Sequence, residues 1–138
     1  MSYNFKNIIA RKVNRSIKNA ISSKSINPNF KEILKEHNSY IKAISDLGLR
    51  INLLDPLEEF PDSIFVEDPA IVYNSKCIIL NPFASSRNGE NKIIRTEIQK
   101  FFDEIFFIDE GFIEGGDILN INNHFIIGLS TRTNKLGA

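Results

Sequence analysis

Phe60-Pro61-Asp62-Ser63-Ile64-Phe65-Val66-Glu67-Asp68 sets a short apolar centre between carboxylates. Read as a strand, Ile64 to Val66 is flanked by three acids, on Asp62, Glu67 and Asp68, and charged groups are rarely buried without a partner. The stretch therefore predicts a site that holds a cation. An echo stands forty-seven positions downstream, where Phe112-Ile113-Glu114 repeats Phe65-Val66-Glu67. Each copy precedes two apolar runs split by a polar turn.

Those runs predict hairpins. Ala70 to Tyr73 and Lys76 to Leu80 flank Asn74-Ser75, and Asp117 to Ile121 and His124 to Leu129 flank Asn122-Asn123, in the pattern of β-branched strands around tight turns. Between the hairpins, Ile94, Ile98 and Phe101 recur at helical spacing, which predicts a helix over 89–102, and Glu104 to Ile108 reads as a further strand. Upstream, Phe5 to Val13 reads as a strand. Asn27-Pro28 reads as a helix start, with Asn capping the first turn and Pro at the first helical position. Phe30, Ile33, Leu34, Ile41, Ile44 and Leu47 supply the helix's apolar stripe, Gly48 its left-handed stop, and Arg50 to Leu54 the next strand. The chain thus reads as α/β, built from repeated hairpin-helix-strand modules. Each module presents a carboxylate before its hairpin and an arginine after it, Arg87 in the first and Arg132 in the second.

Bulk composition narrows the function classes. With 138 residues, 42% hydrophobic and 25% charged, the chain is expected to form a single globular domain over 1–138. Basic and acidic residues number 17 each, so no global positive charge favours nucleic acid or an anionic membrane. The first thirty-one residues carry seven Lys or Arg and no acid; a solvated basic edge is the favoured reading over an organelle-targeting segment. One cysteine, Cys77, excludes an internal disulfide framework and points to a reducing, cytoplasmic setting. With no activating base beside it, Cys77 reads as a small buried hydrophobe. His37, inside the helical stripe, reads as a satisfied core or boundary residue, and His124, at a turn, as one that is exposed or pairs with backbone.

Acids and arginines on one rim point to a zwitterionic ligand. A planar guanidinium is held by paired carboxylates, and an α-carboxylate by an arginine fork, so an arginine-like amino acid fits both ends. Gly115-Gly116, directly after Glu114, lets backbone or ligand approach closely and is read as a pocket floor in preference to a β-bulge. The same acids could supply hard oxygen ligands, but their spacing matches no calcium loop.

Four segments together resemble the dimethylarginine dimethylaminohydrolase family: Phe60 to Asp68, Ala84-Ser85-Ser86-Arg87-Asn88-Gly89-Glu90, Glu114-Gly115-Gly116-Asp117, and Gly128 to Asn134. This family belongs with arginine deiminases and amidinotransferases, which share a five-bladed α/β propeller, the pentein fold. The resemblance implies that this chain is an incomplete propeller, its N-terminal half. It implies that Asp68 and Glu114 meet the substrate guanidinium, Glu114 also orienting a catalytic histidine. Asp62 and Glu67 become further substrate-pocket acids, Phe65 a wall against the alkyl chain, and Arg87 and Arg132 the clamp on the amino-acid end.

In such enzymes a cysteine thiolate attacks the guanidino carbon, the amine leaves, and water resolves the thiouronium; no metal or organic cofactor is implied. The matching histidine and cysteine are expected beyond Ala138, so the chain alone is expected to recognise substrate without turning it over, and to pair with a separate C-terminal half or with itself. The alternatives are a non-catalytic module for arginine-like ligands, a gene remnant, or a piece of a deiminase or amidinotransferase.

Overall fold

The computed structural model describes residues 5–22, 27–121 and 124–138. Contacts divide the chain into two compact units, Met1–Phe65 and Val66–Ala138. The boundary falls inside the acidic stretch, leaving Asp62 and Phe65 in the first unit and Glu67 and Asp68 in the second.

The first unit is built on a parallel pair. Strand β1 (Asn7–Arg11) lies beside β2 (Arg50–Leu54), with Ile8 opposite Ile51 and Ala10 opposite Leu53. Parallel neighbours need a crossover, supplied by α1 (Phe30–Asp46). This helix starts two residues later than expected from Asn27-Pro28. Asn29 is the cap, its side-chain oxygen accepting from the Lys31 amide at 2.9 Å, so the capping asparagine is the one immediately before the apolar stripe. At the other end Gly48 takes φ +80° and stops the helix as predicted. Leu47, counted in the stripe, instead stands exposed at the cap, whereas Ile44 is buried. Of the core and boundary readings His37 takes the boundary one, half-buried, its pKa lowered by burial against a raising hydrogen bond with the Arg11 backbone.

Residues 60–68 do not form a strand. They run as successive turns, with the Ser63 amide donating to Phe60 and the Phe65 amide to Asp62. The reason lies in two buried polar side chains at the end of β1. Asn14 Nδ2 faces the Phe60 carbonyl at 2.9 Å and Ser63 Oγ at 3.0 Å, while Arg11 donates to the Ser63 and Asp55 carbonyls at 3.2 and 2.8 Å. Backbone groups that a strand would pair across a ladder are satisfied here by side chains.

The second unit contains one full module. Strands β3 (Ala70–Tyr73) and β4 (Lys76–Ile79) form the predicted hairpin, with Asn74 at φ 56° in its turn. Helix α2 (Glu90–Ile98) then crosses to β5 (Glu104–Phe107), which pairs in parallel with β4. The helix is shorter than the predicted 89–102. After Ile98 the amides of both Phe101 and Phe102 converge on the Ile98 carbonyl, tightening the chain into a turn and leaving Phe101 partly exposed. Cys77, Ile79, Leu80, Ile94 and Ile98 form the core under this helix. Burying each Ile or Leu contributes roughly 2 kcal/mol.

A second hairpin, β6 (Ile118–Ile121) and β7 (His124–Ile127), follows; its Asn122-Asn123 turn lies outside the described residues. Ala70 pairs with Ile79 and Ile118 with Ile127, so the hairpins repeat at 48 positions (118 less 70), one more than the motif echo of forty-seven. The extra residue is taken up in Glu114-Gly115-Gly116-Asp117, which closes a 3-10 turn before β6, whereas Pro69 leads straight into β3. In the register of the hairpins, Glu67 therefore corresponds to Gly115 and not to Glu114.

Candidate functional site

Two arginine clusters dominate the second unit. Arg87 closes a single 3-10 turn, Ser85–Arg87, and Gly89 at φ +93° swings the chain into α2, so that Glu90 begins the helix on the same side as Arg87. The result is a fork-to-fork pair: Arg87 Nε donates to Glu90 Oε2 at 2.8 Å and Nη2 to Oε1 at 3.0 Å. Its third nitrogen, Nη1, reaches Asp68 Oδ2 at 2.6 Å. Arg87 is 3% exposed and Glu90 fully buried.

Arg132 sits differently. Its side chain is 50% exposed, and Nη1 meets Glu114 Oε2 at 3.0 Å, while Glu114 itself is buried. The arginine's loop is held from below. Ser130 Oγ accepts from the amides of Arg132 and Thr133 and donates to Asp117 at 2.7 Å; Thr133 Oγ1 donates to Asp117 at 2.6 Å and accepts from the Glu114 amide at 3.2 Å. Asp117, its pKa lowered chiefly by the Thr133 and Ser130 hydroxyls, ties the Arg132 loop to the backbone of Glu114.

Glu114 is buried among these charges. Burial raises its pKa and the neighbouring Asp68 raises it further, against the lowering pull of Arg132 and Arg87. One oxygen rests on Arg132; the other, Oε1, is buried with no hydrogen-bond partner among the described residues. Asp68 and Glu114 thus lie within electrostatic reach of each other, and the Gly115 amide donates to the Asp68 carbonyl at 3.0 Å. The pocket-floor reading of Gly115 gives way to a packing one. A Cβ there would collide with the Glu67 carbonyl, so glycine is needed for two backbone segments to touch.

The remaining predicted residues are placed as follows. Glu67 is exposed. In the first unit, Asp62 is buried, with Oδ1 accepting from the Ile21 amide at 3.0 Å and Oδ2 without a partner among the described residues, and Phe65 is about half exposed. Cys77 is fully buried, its pKa pushed up to about 11 by desolvation, and His124 is exposed. Among the described residues no group of three or more His, Cys, Asp or Glu could cage a metal ion, and no helix is long and apolar enough to cross a membrane.

Sequence reasoning missed Glu90 and the Ser130 and Thr133 hydroxyls. For Glu90 a signal existed in the Arg87-to-Glu90 spacing of three across a glycine that opens a helix. For the hydroxyls none did, because their shared partner, Asp117, is reached only through the folded loop.

This arrangement can be compared with known proteins. The model for N,N-dimethylarginine dimethylhydrolase, eukaryotic, matches residues 5–138. The chain belongs to the dimethylarginine dimethylaminohydrolase family. It is 42% identical over 137 residues to the N(G),N(G)-dimethylarginine dimethylaminohydrolase of Pseudomonas aeruginosa, covering 97% of this chain and 54% of that protein. A cysteine-to-serine mutant of the Pseudomonas enzyme, solved in complex with citrulline, matches with a TM-score of 0.93 over 99% of this chain and 55% of its own. The chain spans about half the length of these relatives. More distantly, the N-terminal domain of the arginine dihydrolase ArgZ, bound to product, matches at 15% identity with a TM-score of 0.81, over 96% of this chain and 51% of that one; this likeness shows the fold alone. The chain therefore has the α/β pentein fold of the dimethylarginine dimethylaminohydrolase family, in the modules expected from its hairpins.

Proposed function

We propose that this chain supplies the cation-recognition residues of an enzyme that hydrolyses N-omega-methylated arginine to citrulline and a methylamine. The observation that carries the proposal is the buried Glu114 carboxylate, with Oε2 on Arg132, Oε1 without a donor among the described residues, and Asp68 within electrostatic reach. A buried acceptor left unpaired costs free energy that a donor of opposite charge removes, and a guanidinium offers planar donors to both carboxylates. Charge counting supports the same ligand. Arg87 and Arg132 stand among four carboxylates, Asp68, Glu90, Glu114 and Asp117, and the excess is negative.

In this reading Asp68 and Glu114 receive the guanidinium, and Glu114 Oε1 also suits an imidazole N–H. Arg132, half exposed and anchored through Ser130, Thr133 and Asp117, is the clamp for the α-carboxylate, with Arg87 behind it. Asp62 and Phe65, in the first unit, and Glu67, in the second, keep the roles that the family resemblance gives them: substrate-pocket acids for Asp62 and Glu67, an apolar wall for Phe65. Membership of a family named for dimethylarginine favours that substrate over those of deiminases and amidinotransferases.

Taken alone, the 138-residue chain binds without turnover. Its one thiol, on Cys77, is buried and at neutral pH almost wholly protonated, so it offers no nucleophile. A single buried, unpaired cysteine also supports a reducing, cytoplasmic setting, and a C-terminal half carrying nucleophile and base is the partner that would complete the reaction. Calorimetry with L-arginine tests the recognition reading: binding that is lost in both Asp68→Ala and Glu114→Ala supports it, and heat unaffected by either variant defeats it. Citrulline formed from dimethylarginine by the purified chain would defeat the binding-only reading.

A further inference from the structure

Glu90 is a fully buried carboxylate that the recognition scheme above leaves without a task. An ionised group out of water is costly unless paired, and here the pairing is complete: both its oxygens are taken by one guanidinium, at 2.8 and 3.0 Å. Its position at the first turn of α2 adds the favourable field of the helix N-terminus. The guanidinium it grips has one remaining edge, and that edge holds Asp68 at 2.6 Å. Resting on the proposed recognition of a guanidinium by Asp68, we propose that Glu90 is a positioning residue that sets both the direction and the free charge of the Asp68 carboxylate.

Two physical consequences of the fork support the assignment. A guanidinium is planar and its five donors point in fixed directions, so pinning Nε and Nη2 on Glu90 fixes where Nη1 points, and hence the rotamer of Asp68. Charge is shared as well. With Glu90 ionised, the positive charge of Arg87 is already balanced, and Asp68 keeps a net negative charge to offer a cationic ligand. With Glu90 neutral, Arg87 and Asp68 become a closed ion pair, and a ligand guanidinium must compete with an internal one. Glu90 therefore acts on the ligand's charge through Arg87 and Asp68, without touching the ligand.

The test uses the 138-residue chain with L-arginine and its uncharged counterpart L-citrulline as probes. Glu90→Gln, which keeps the shape and removes the charge, is expected to lower L-arginine affinity by roughly tenfold, the scale on which groups behind a binding residue act. Citrulline affinity is expected to stay within about twofold, because a neutral ureido group gains nothing from the free charge of Asp68. In an Asp68→Asn background the same change should have no further effect on arginine. Equal losses for both ligands, or a loss that persists with Asp68→Asn, would overturn the assignment.

A ligand-free reading separates this inference from the binding proposal. The carboxyl carbon resonance of Asp68 should move in Glu90→Gln and stay in place in Glu110→Gln, a charge-matched change on an exposed residue. If the wild-type chain binds neither probe, the recognition reading fails, and the resonance alone decides the inference: an Asp68 signal unmoved by Glu90→Gln rejects it. Should Glu90→Gln unfold, Glu90→Asp keeps the charge while shortening the fork, so the Asp68 resonance should still move while the preference for arginine over citrulline is largely kept; an unmoved resonance rejects the inference.

Discussion

Arg87 and Arg132 follow successive hairpins and look interchangeable as sequence, yet they are held by opposite physics. Arg87 is sealed from water and saturated by two carboxylates; Arg132 is half in solvent and touches one. The difference comes from what precedes the contact. Gly89 folds the chain back so that Glu90 meets Arg87 three residues on, while the Arg132 loop has no acid of its own and leans on Asp117 through two hydroxyls. A buried ion pair is a fixture of the fold, and an exposed one can exchange partners. On this basis the first cluster shapes the site and the second is free to answer a ligand.

The largest expected effect tests the first half of that contrast. Arg87→Ala strands the Glu90 carboxylate in the interior, and breaking one side of a buried pair costs about 3–5 kcal/mol. Urea denaturation should show a loss of that size, and Arg87→Lys should recover only part of it, because an ammonium cannot engage both Glu90 oxygens and Asp68 together. A loss no larger than that of an exposed pair would erase the distinction between the two arginines.

Next in size is the close backbone approach behind the acids. Gly115→Ala forces a Cβ onto the Glu67 carbonyl and should cost roughly 1–3 kcal/mol, by analogy with overpacked cores. Gly116→Ala is the control. There the nearest atom to an added Cβ is Asp68 Oδ1 at 3.7 Å, and the change should stay within about 0.5 kcal/mol. Thermal unfolding of the two variants side by side measures the gap, and equal shifts would mean that the contact with Glu67 carries no strain.

What the sequence made legible follows the same division between local and assembled features. The hairpin strands, both helices and the left-handed stop at Gly48 could be read because each depends on residues within a turn or two of one another. The reading failed where long-range side chains decide the backbone. Residues 60–68 look like a strand by composition, but Asn14 and Arg11, more than forty positions earlier, take the hydrogen bonds that a strand would have made. The motif echo of Glu67 in Glu114 misled for a related reason. Hairpin register, not local likeness, sets structural equivalence, and the 3-10 turn at Gly115 shifts it by one, leaving Glu67 in solvent and Glu114 buried. Among the acids, Asp68 and Glu114 stood out in the sequence and lie within electrostatic reach of each other in the fold; Glu90 was hidden because its partner was already assigned to another task.

The smallest effect concerns Arg132 and sharpens the second half of the contrast. The pair with Glu114 is open to solvent only on the arginine's side, so Arg132→Ala should cost less than Arg87→Ala, about 1–2 kcal/mol at neutral pH, as the buried Glu114 carboxylate loses its cation. Its pH dependence is more telling than its size. Burial raises the Glu114 pKa above its ordinary 4.5, so between 4.5 and the folded value the native chain holds a proton that the unfolded chain has released. Stability therefore falls as pH rises through that window and stays at the lower level above it. Arg132 opposes the shift, so Arg132→Ala pushes the folded value higher and deepens the fall. The gap between variant and wild type should be smallest below about pH 4, where Glu114 is protonated in both states and Arg132 still attracts Asp117, and should widen as pH rises past 4.5. Glu114→Gln removes the titrating group and should flatten the difference. Denaturation midpoints from pH 3.5 to 8 would show this, and a constant offset between variant and wild type at every pH would mean that Arg132 acts through packing and not through the charge of Glu114.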